Sequence, residues 1–262
     1  MMHVKTFNSL LLKVFFCSGF FQMLILAAMI DEHVKYIGFD ADDTLWVNES
    51  NFRLLESRFL RLMKPWVDTE TAAKRLFETE MQNMNIYGYG VKPFVLSVIE
   101  TALNVSENKI PQSDIGKIIQ WGKELLRAPM ELLDGVEYCL AWFRKQDYTL
   151  VLATKGDSLD QERKLHASGL ADYFHQIHVM SDKQPANYHR LFSNIGIQPQ
   201  EFFMIGNSVK SDVLPLLNMG AKAAHIPFHT TWAHEELKDH HAYDFPVFES
   251  MRDLVDSLEN QM

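Results

Sequence analysis

This sequence of 262 residues has little cysteine, no basic runs and no internal repeats. Its two cysteines, Cys17 and Cys139, lie far apart and have no metal-site spacing, so we predict no disulfide framework and a reducing cytoplasm as the compartment. No lysine- and arginine-rich run occurs, and the formal net charge is −9. This charge argues against a nucleic-acid polymer as a partner. No motif indicates an oligomeric state.

Long hydrophobic runs are also absent, except at the N-terminus. Residues 9–30 are strongly apolar but are interrupted by Lys13 and Gln22. The uncharged part, residues 14–30, is at the short limit for a membrane helix, and no small-residue cleavage site precedes Asp31. Three interpretations of an extension over residues 1–33 stay open: a membrane anchor, a signal peptide, and upstream sequence ahead of a native start at Met29. A membrane is an expected partner only under the first.

The remaining sequence has the composition of a soluble globular protein, with 47% apolar and 23% charged residues. From residue 34 onward, short apolar runs alternate with helical patterns. Strands are predicted over residues 34–40, 148–154, 176–180, 201–207 and 222–228, and helices over residues 157–168, 185–195 and 211–219. This alternation predicts an α/β fold with a doubly wound, Rossmann-like parallel sheet.

One segment of about ninety residues after the first strand contains no convincing strand. Helical periodicity appears instead over residues 51–63, 71–82, 94–103 and 114–126, with a loop rich in glycine and tyrosine at residues 85–90. We therefore expect an all-α cap domain, residues 49–133. It would be inserted into a Rossmann-like core made of residues 34–48 and 134–262.

Three aspartates within four positions end the first predicted strand, in the stretch "DADDT" at residues 40–44. Side chains alternate along an extended segment, so Asp40 and Asp42 are expected on one side and Asp43 on the other, in a structural role. Like charges this close are unfavourable unless a cation or a reaction uses them. Paired carboxylates suit Mg²⁺ together with a substrate phosphate. The alternative is a turn in which the aspartates cap backbone N–H groups.

Polar residues also end or follow the later predicted strands. Thr154 ends the second and Lys155 follows it, Lys183 follows the third, and Asn207 ends the fourth with Asp212 five residues on. The chemistry of parallel sheets gathers at the carboxyl ends of the strands. There, a threonine hydroxyl can bind a phosphate oxygen and a lysine can stabilise phosphoryl charge. Taken singly, each of these residues has an ordinary structural explanation. Thr154 is typical of a β-branched residue in a strand, Lys183 of a surface charge, and Asp212 of a carboxylate at a helix terminus.

Taken in order, these residues resemble the four motifs of the haloacid dehalogenase superfamily. The resemblance covers the chain from about residue 34 to the C-terminus and rests on D-x-D-x-T from Asp40, the strand ending in Thr154, the lone Lys183 and "GNSVKSD" ending in Asp212. The position of the insertion matches the subclass with a helical cap between the first two motifs. The resemblance implies a Mg²⁺-dependent phosphatase acting on a small phosphorylated metabolite. Since haloacid-cleaving members lack an acid at the position of Asp42, it favours a phosphatase over a dehalogenase.

The resemblance also implies a role for each motif residue. Asp40 would be the nucleophile that forms an aspartyl phosphate, and Asp42 the general acid and then the general base. The phosphoryl group would be held by Thr154 and Lys183. Lys155 is not one of the motif residues; its position next to Thr154 makes it a further candidate substrate contact, with a solvated lysine as the alternative. The implied Mg²⁺ ligands are Asp40, Asp42, Asn207 and Asp212.

The fourth motif departs from the superfamily pattern, because it opens with Gly206-Asn207 where Gly-Asp is usual. An amide oxygen is a weaker Mg²⁺ ligand than a carboxylate, so either Asp212 carries more of the coordination or Asn207 binds through its carbonyl oxygen. Two alternative functions stay open: a phosphosugar mutase with the same nucleophile, and a catalytically weak or inactive relative. A receiver-type signalling module is disfavoured by the chain length and the helical insertion.

Overall fold

The computed structural model of this protein describes residues 30–230, 232–235 and 245–260. Almost all of the N-terminal extension, residues 1–29, lies outside the described residues. The three interpretations of the extension therefore stay predictions. Within the described ranges, no helix is both long and apolar enough to cross a membrane.

Five parallel strands form one sheet in the order β3-β2-β1-β4-β5. β1 is thus the central strand, and β4 beside it is buried at every position, as expected for a sheet covered on both faces. The predicted doubly wound parallel sheet is confirmed. The strands are β1 (Tyr36–Phe39), β2 (Thr149–Lys155), β3 (Gln176–Met180), β4 (Phe202–Gly206) and β5 (Lys222–His225).

The described α-helices fall into two groups. One group lies between β1 and β2 along the chain, and the other connects the later strands or follows β5. Each face of the sheet packs on a separate apolar cluster, with Phe39 and Phe143 in one and Tyr188 and Met204 in the other. The helices are α1 (Glu49–Met63), α2 (Thr69–Tyr87), α3 (Val91–Val105), α4 (Gln112–Leu126), α5 (Val136–Lys145), α6 (Ser158–Ser168), α7 (Pro185–Ile195), α8 (Leu214–Leu217) and α9 (Met251–Glu259).

Helices α1–α4 correspond to the four predicted helical periodicities and bury an apolar cluster of their own, which includes Phe59, Leu76 and Val98. The two chain segments that lead into and out of this group run side by side. The Val47 N–H donates to the carbonyl oxygen of Glu131 at 2.9 Å. The two linkers between this group and the sheet are therefore hydrogen-bonded to each other.

Several predicted boundaries were wrong. The predicted helix 211–219 is a π-helical turn, Val209–Val213, followed by the short α8. Pro215 has no N–H to donate to the Ser211 carbonyl, which accepts instead from the Tyr188 hydroxyl at 3.0 Å. The predicted loop at residues 85–90 begins only at Gly88, because α2 continues until glycine permits a positive φ of 75°. Helices α5 and α9 were not predicted.

Asp43 caps the N-terminus of α1. One carboxylate oxygen accepts from the backbone N–H groups of Asn48 and Glu49, at 2.8 and 3.0 Å. Its own backbone has φ = 60°, a conformation that Asp and Asn tolerate better than other non-glycine residues. Burial raises the pKa of the Asp43 carboxyl to about 7, although both backbone hydrogen bonds oppose the rise. The contacts give the third aspartate of the cluster a structural role.

We expect Asp43→Ala to lower the free energy of unfolding by about 1–2 kcal/mol, because it removes the cap and leaves a positive-φ alanine. Asp43→Asn keeps an acceptor oxygen and the tolerated backbone conformation, so it should cost less than half as much. Urea unfolding followed by circular dichroism measures both. Equal stability of the alanine variant and the wild type would show that the cap contributes nothing.

Candidate active site

The structure brings all the predicted site residues to the carboxyl edge of the sheet. They line one cavity of ≈ 390 Å³ between the strand ends and helices α1–α3. The side chains from the core that share this cavity are Asp40, Asp42, Thr154, Lys155, Lys183, Asn207 and Asp212.

Lys183 lies between two carboxylates at the floor of this cavity. Its ammonium donates to Asp40 Oδ1 and, at 2.5 Å, to Asp212 Oδ1, and its side chain is only 1% exposed. Burial opposes its charge, but Asp212 and Asp40 raise the pKa of Lys183 above its ordinary value. Burial likewise raises the pKa of Asp40 against the attraction of Lys183. The buried group of two acids and one lysine is one positive charge short of neutrality, a deficit that suits a cation.

Thr44 connects Asp40 to the fourth motif. Its hydroxyl donates to Asp40 Oδ2 at 3.1 Å and accepts from the Asn207 N–H at 3.0 Å. The side-chain oxygen of Asn207 lies 3.3 Å from the same hydroxyl. The first and fourth motifs are therefore joined by one side chain.

Gly206 allows Asp212 to approach the strand end. A Cβ at position 206 would lie 2.3 Å from Asp212 Oδ2, so only glycine fits without movement. The same oxygen accepts from the Ser208 N–H at 3.0 Å. Both Asp212 oxygens thus have donors within the chain, as both Asp40 oxygens do.

Asp42 is held by three side chains that the sequence analysis did not single out. Its carboxylate accepts from Trp46 Nε1, Gln161 Nε2 and Lys164 Nζ, each at 2.7 Å. Gln161 and Lys164 are three residues apart on α6 and therefore project from one helix face. That spacing was visible in the sequence, but nothing in it indicated which residue they contact.

Lys155 is engaged by the chain itself. Its ammonium pairs with Glu235, donates to Ser211 Oγ at 3.0 Å and lies 4.6 Å from the centre of the Tyr89 ring. Glu235 also accepts from the Ser208 and Ser211 hydroxyls. Burial alone would raise the pKa of Glu235, but Lys155 and these hydroxyls lower it to about 2. Lys155 thus forms an ion pair within the chain, and its role as a substrate contact stays a prediction.

The outer wall of the cavity mixes aromatic rings with charged groups. Arg53 pairs with Glu49 at 3.0 Å and with Glu56 at 2.9 Å. Burial raises the pKa values of Glu49 and Glu80 to about 7. A ligand in the cavity would therefore contact hydrogen-bonding groups as well as rings, and the aromatic residues here are Phe52, Phe77, Tyr89, Phe94 and Trp232.

A family model described as a haloacid dehalogenase-like hydrolase matches residues 34–220. This chain belongs to that family. A solved haloacid dehalogenase-like hydrolase from Xanthomonas campestris is 33% identical, with a TM-score of 0.76 over 87% of this chain and 91% of that one. The predicted superfamily membership is confirmed.

Two curated relatives are enzymes named for phosphate removal. N-acylneuraminate-9-phosphatase of Mus musculus is 30% identical over 99 residues, which is 36% of this chain and 40% of the relative. Pyrimidine 5'-nucleotidase PynA of Streptococcus pneumoniae is 28% identical over 140 residues, which is 50% of this chain and 56% of the relative. The matched region thus spans about half the length of these relatives or less.

Within this family member, Gly206→Ala should be far more damaging than an alanine at an open helical position. The new Cβ overlaps Asp212, so we expect a loss of roughly 1–3 kcal/mol in unfolding free energy from overpacking and displacement of Asp212 from Lys183. Gly116→Ala is the matched control, because nothing lies within 4 Å of its Cβ and alanine favours a helix. Thermal unfolding of both variants measures the difference, and equal melting temperatures would contradict the close approach.

The Glu235 ion pair should make stability depend on pH. The pKa of folded Glu235 lies below its ordinary value of 4.5, so its stabilisation is complete above pH 4.5 and is lost as the pH falls towards 2. Glu235→Gln should therefore lose roughly 2–3 kcal/mol at pH 7, and its difference from the wild type should shrink below pH 4.5. Exposed Glu162→Gln is the control. A difference independent of pH would contradict the ion pair.

Proposed function

We propose that this protein is a Mg²⁺-dependent phosphatase that hydrolyses a small phosphomonoester through an aspartyl phosphate on Asp40. The observation that carries the proposal is the buried Asp40 carboxylate at the cavity floor. There it lies between Lys183 and Thr44, in the same cavity as Asp42 and Thr154. Asp40 and Lys183 together provide a nucleophile and a fixed positive charge where phosphoryl charge would develop.

In the first step, a carboxylate oxygen of Asp40 attacks phosphorus while the bond from phosphorus to the substrate oxygen breaks. Asp42 gives its proton to that leaving oxygen. In the second step, Asp42 takes a proton from a water molecule that attacks phosphorus, and the bond to Asp40 breaks. Inorganic phosphate and an alcohol are the products. The Thr154 hydroxyl and Lys183 would hold the phosphoryl oxygens in both steps.

The residues at the cavity floor fit a magnesium ion. The candidate ligands are the Asp40 carboxylate, the Asp42 backbone carbonyl, the Asn207 amide oxygen and the Asp212 carboxylate. All are oxygen atoms, which is the donor type that Mg²⁺ prefers, and this ion also keeps waters and substrate phosphate as ligands. Among the described residues, no three His, Cys, Asp or Glu side chains form a metal-holding group. When bound, the metal would neutralise charge on the phosphoryl group.

Helices α1–α4 would form the cap domain, which we propose to consist of residues 49–133. They supply the outer cavity wall, including Phe52 and Phe94, whose ring centres lie 5.2 Å apart. A cavity of ≈ 390 Å³ suits a small metabolite. Closure of the helices over it would exclude water from the first step. The curated relatives, a phosphatase and a nucleotidase, support this class of substrate.

Asp40→Asn should abolish turnover, with a loss of roughly 10³-fold or more in kcat, because it removes the nucleophile while keeping the shape. The measurement is inorganic phosphate released from 4-nitrophenyl phosphate and from a panel of phosphorylated metabolites, with Mg²⁺ and after chelation. Exposed Asp134→Asn is the matched control. Turnover by the Asp40 variant at the wild-type rate would contradict covalent catalysis.

Two further outcomes separate the alternatives left open by the sequence. Metabolite turnover without release of stoichiometric phosphate would indicate a mutase. Absence of Mg²⁺-dependent turnover by the wild type on every substrate would indicate an inactive relative.

A further inference from the structure

We infer that Lys164, assisted by Gln161, is a positioning residue that aims the Asp42 carboxylate at the leaving oxygen of the substrate. The inference rests on the proposed function of Asp42. It adds a residue outside the four motifs, located on α6, to the machinery of the first step.

The contacts around Asp42 leave its carboxylate little freedom. Lys164 Nζ donates to both oxygens, at 2.7 and 2.9 Å. Trp46 Nε1 supplies a second donor to Oδ1, and Gln161 Nε2 supplies a second donor to Oδ2. With two donors on each oxygen, rotation of the ionised Asp42 carboxylate about its side-chain bonds would break several charge-assisted hydrogen bonds at once. When Asp42 carries the proton that the first step needs, one donor gives way and the others still restrict that rotation.

Lys164 is buried, with a side chain only 7% exposed, and its ammonium also donates to Asn48 Oδ1 at 2.9 Å. A buried ion pair adds little net stability, since the loss of hydration offsets the attraction. Its main physical effect here is therefore orientation. Asn48 immediately precedes α1, so Lys164 links Asp42 to the base of the helical group above the cavity.

Gln161 links Asp42 to the end of β2. Its Nε2 also donates to the Lys155 carbonyl at 3.1 Å, and both acceptors require the nitrogen of the amide at this position. As a result, Gln161 Oε1 is buried with no hydrogen-bond partner among the described residues. The side chain of Gln161 is therefore held through its Nε2 atom, which contacts Asp42 and the strand that carries Thr154, and not through its Oε1 atom.

Orientation of Asp42 matters most for substrates whose leaving group needs a proton. An ordinary phenolate or alkoxide is a strong base and must be protonated as the bond to phosphorus breaks. In contrast, 2,4-dinitrophenolate is a weak base and leaves without help. A wrongly oriented Asp42 should therefore slow the hydrolysis of esters with poor leaving groups more than that of esters with good ones. General damage to the fold should instead slow the hydrolysis of all the esters by the same factor.

The test is the kcat/KM of Lys164→Met at saturating Mg²⁺ with phenyl, 4-nitrophenyl and 2,4-dinitrophenyl phosphates. This parameter reports the phosphoryl-transfer step from free enzyme and substrate. We expect a loss of roughly 10–100-fold with phenyl phosphate and less than about 3-fold with 2,4-dinitrophenyl phosphate. Asp42→Asn should give the same pattern more strongly, and Lys164→Arg should recover part of the loss.

Arg163→Met on the same helix is the matched control and should leave the series unchanged. A uniform loss across the series for Lys164→Met, or no loss, would overturn the inference while leaving the proposed function intact. If the methionine variant does not fold, Lys164→Gln is measured and judged by the same criterion. If the wild type hydrolyses neither these esters nor any metabolite of the panel, the proposed function fails first, and this inference fails with it. If it hydrolyses only a metabolite with an alkoxide leaving group, a loss below about 3-fold for Lys164→Met on that metabolite overturns the inference.

Discussion

The site depends on one buried arrangement of charge, in which a single lysine separates two carboxylates. Asp40 follows β1 and Asp212 follows β4, and without Lys183 their repulsion in a low-dielectric setting would be severe. Lys183 offsets the repulsion between the two carboxylates, but the group of two acids and one lysine still carries a net negative charge. A carboxylate that is ionised, oriented and short of counter-charge is well prepared to bind a metal ion and attack a phosphoryl group.

The parallel sheet supplies this arrangement through its topology. β1 lies between β2 and β4, so residues at their carboxyl ends become neighbours however far apart they are along the chain. Local details then complete the fit. Thr44 ties the first motif to Asn207, and Gly206 leaves room for Asp212 against the strand end. Asp43, the third acid of the cluster, serves the fold by capping the helix that starts the insertion.

A second layer of contacts surrounds this centre and holds the side chains that line the cavity. Asp42 is directed by Lys164 and Gln161, and Lys155 is neutralised by Glu235 from the segment 232–235. Tyr89 from the loop after α2 packs edge-on against Trp232, with ring centres 6.1 Å apart. The helical group and the C-terminal part of the core therefore meet over the cavity, where the shape and polarity available to a substrate are set.

By itself, the sequence determined the parallel α/β class, the helical insertion and the motif residues, because periodicity and strand-end chemistry are local properties of the chain. Only the tertiary structure decided which donors reach those residues. Lys164 is 122 positions from Asp42, and Glu235 is 80 positions from Lys155. No local pattern encodes such pairings. They arise because the sheet order and the packing of α6 bring distant segments together, and the free energy of those contacts exists only in the folded chain.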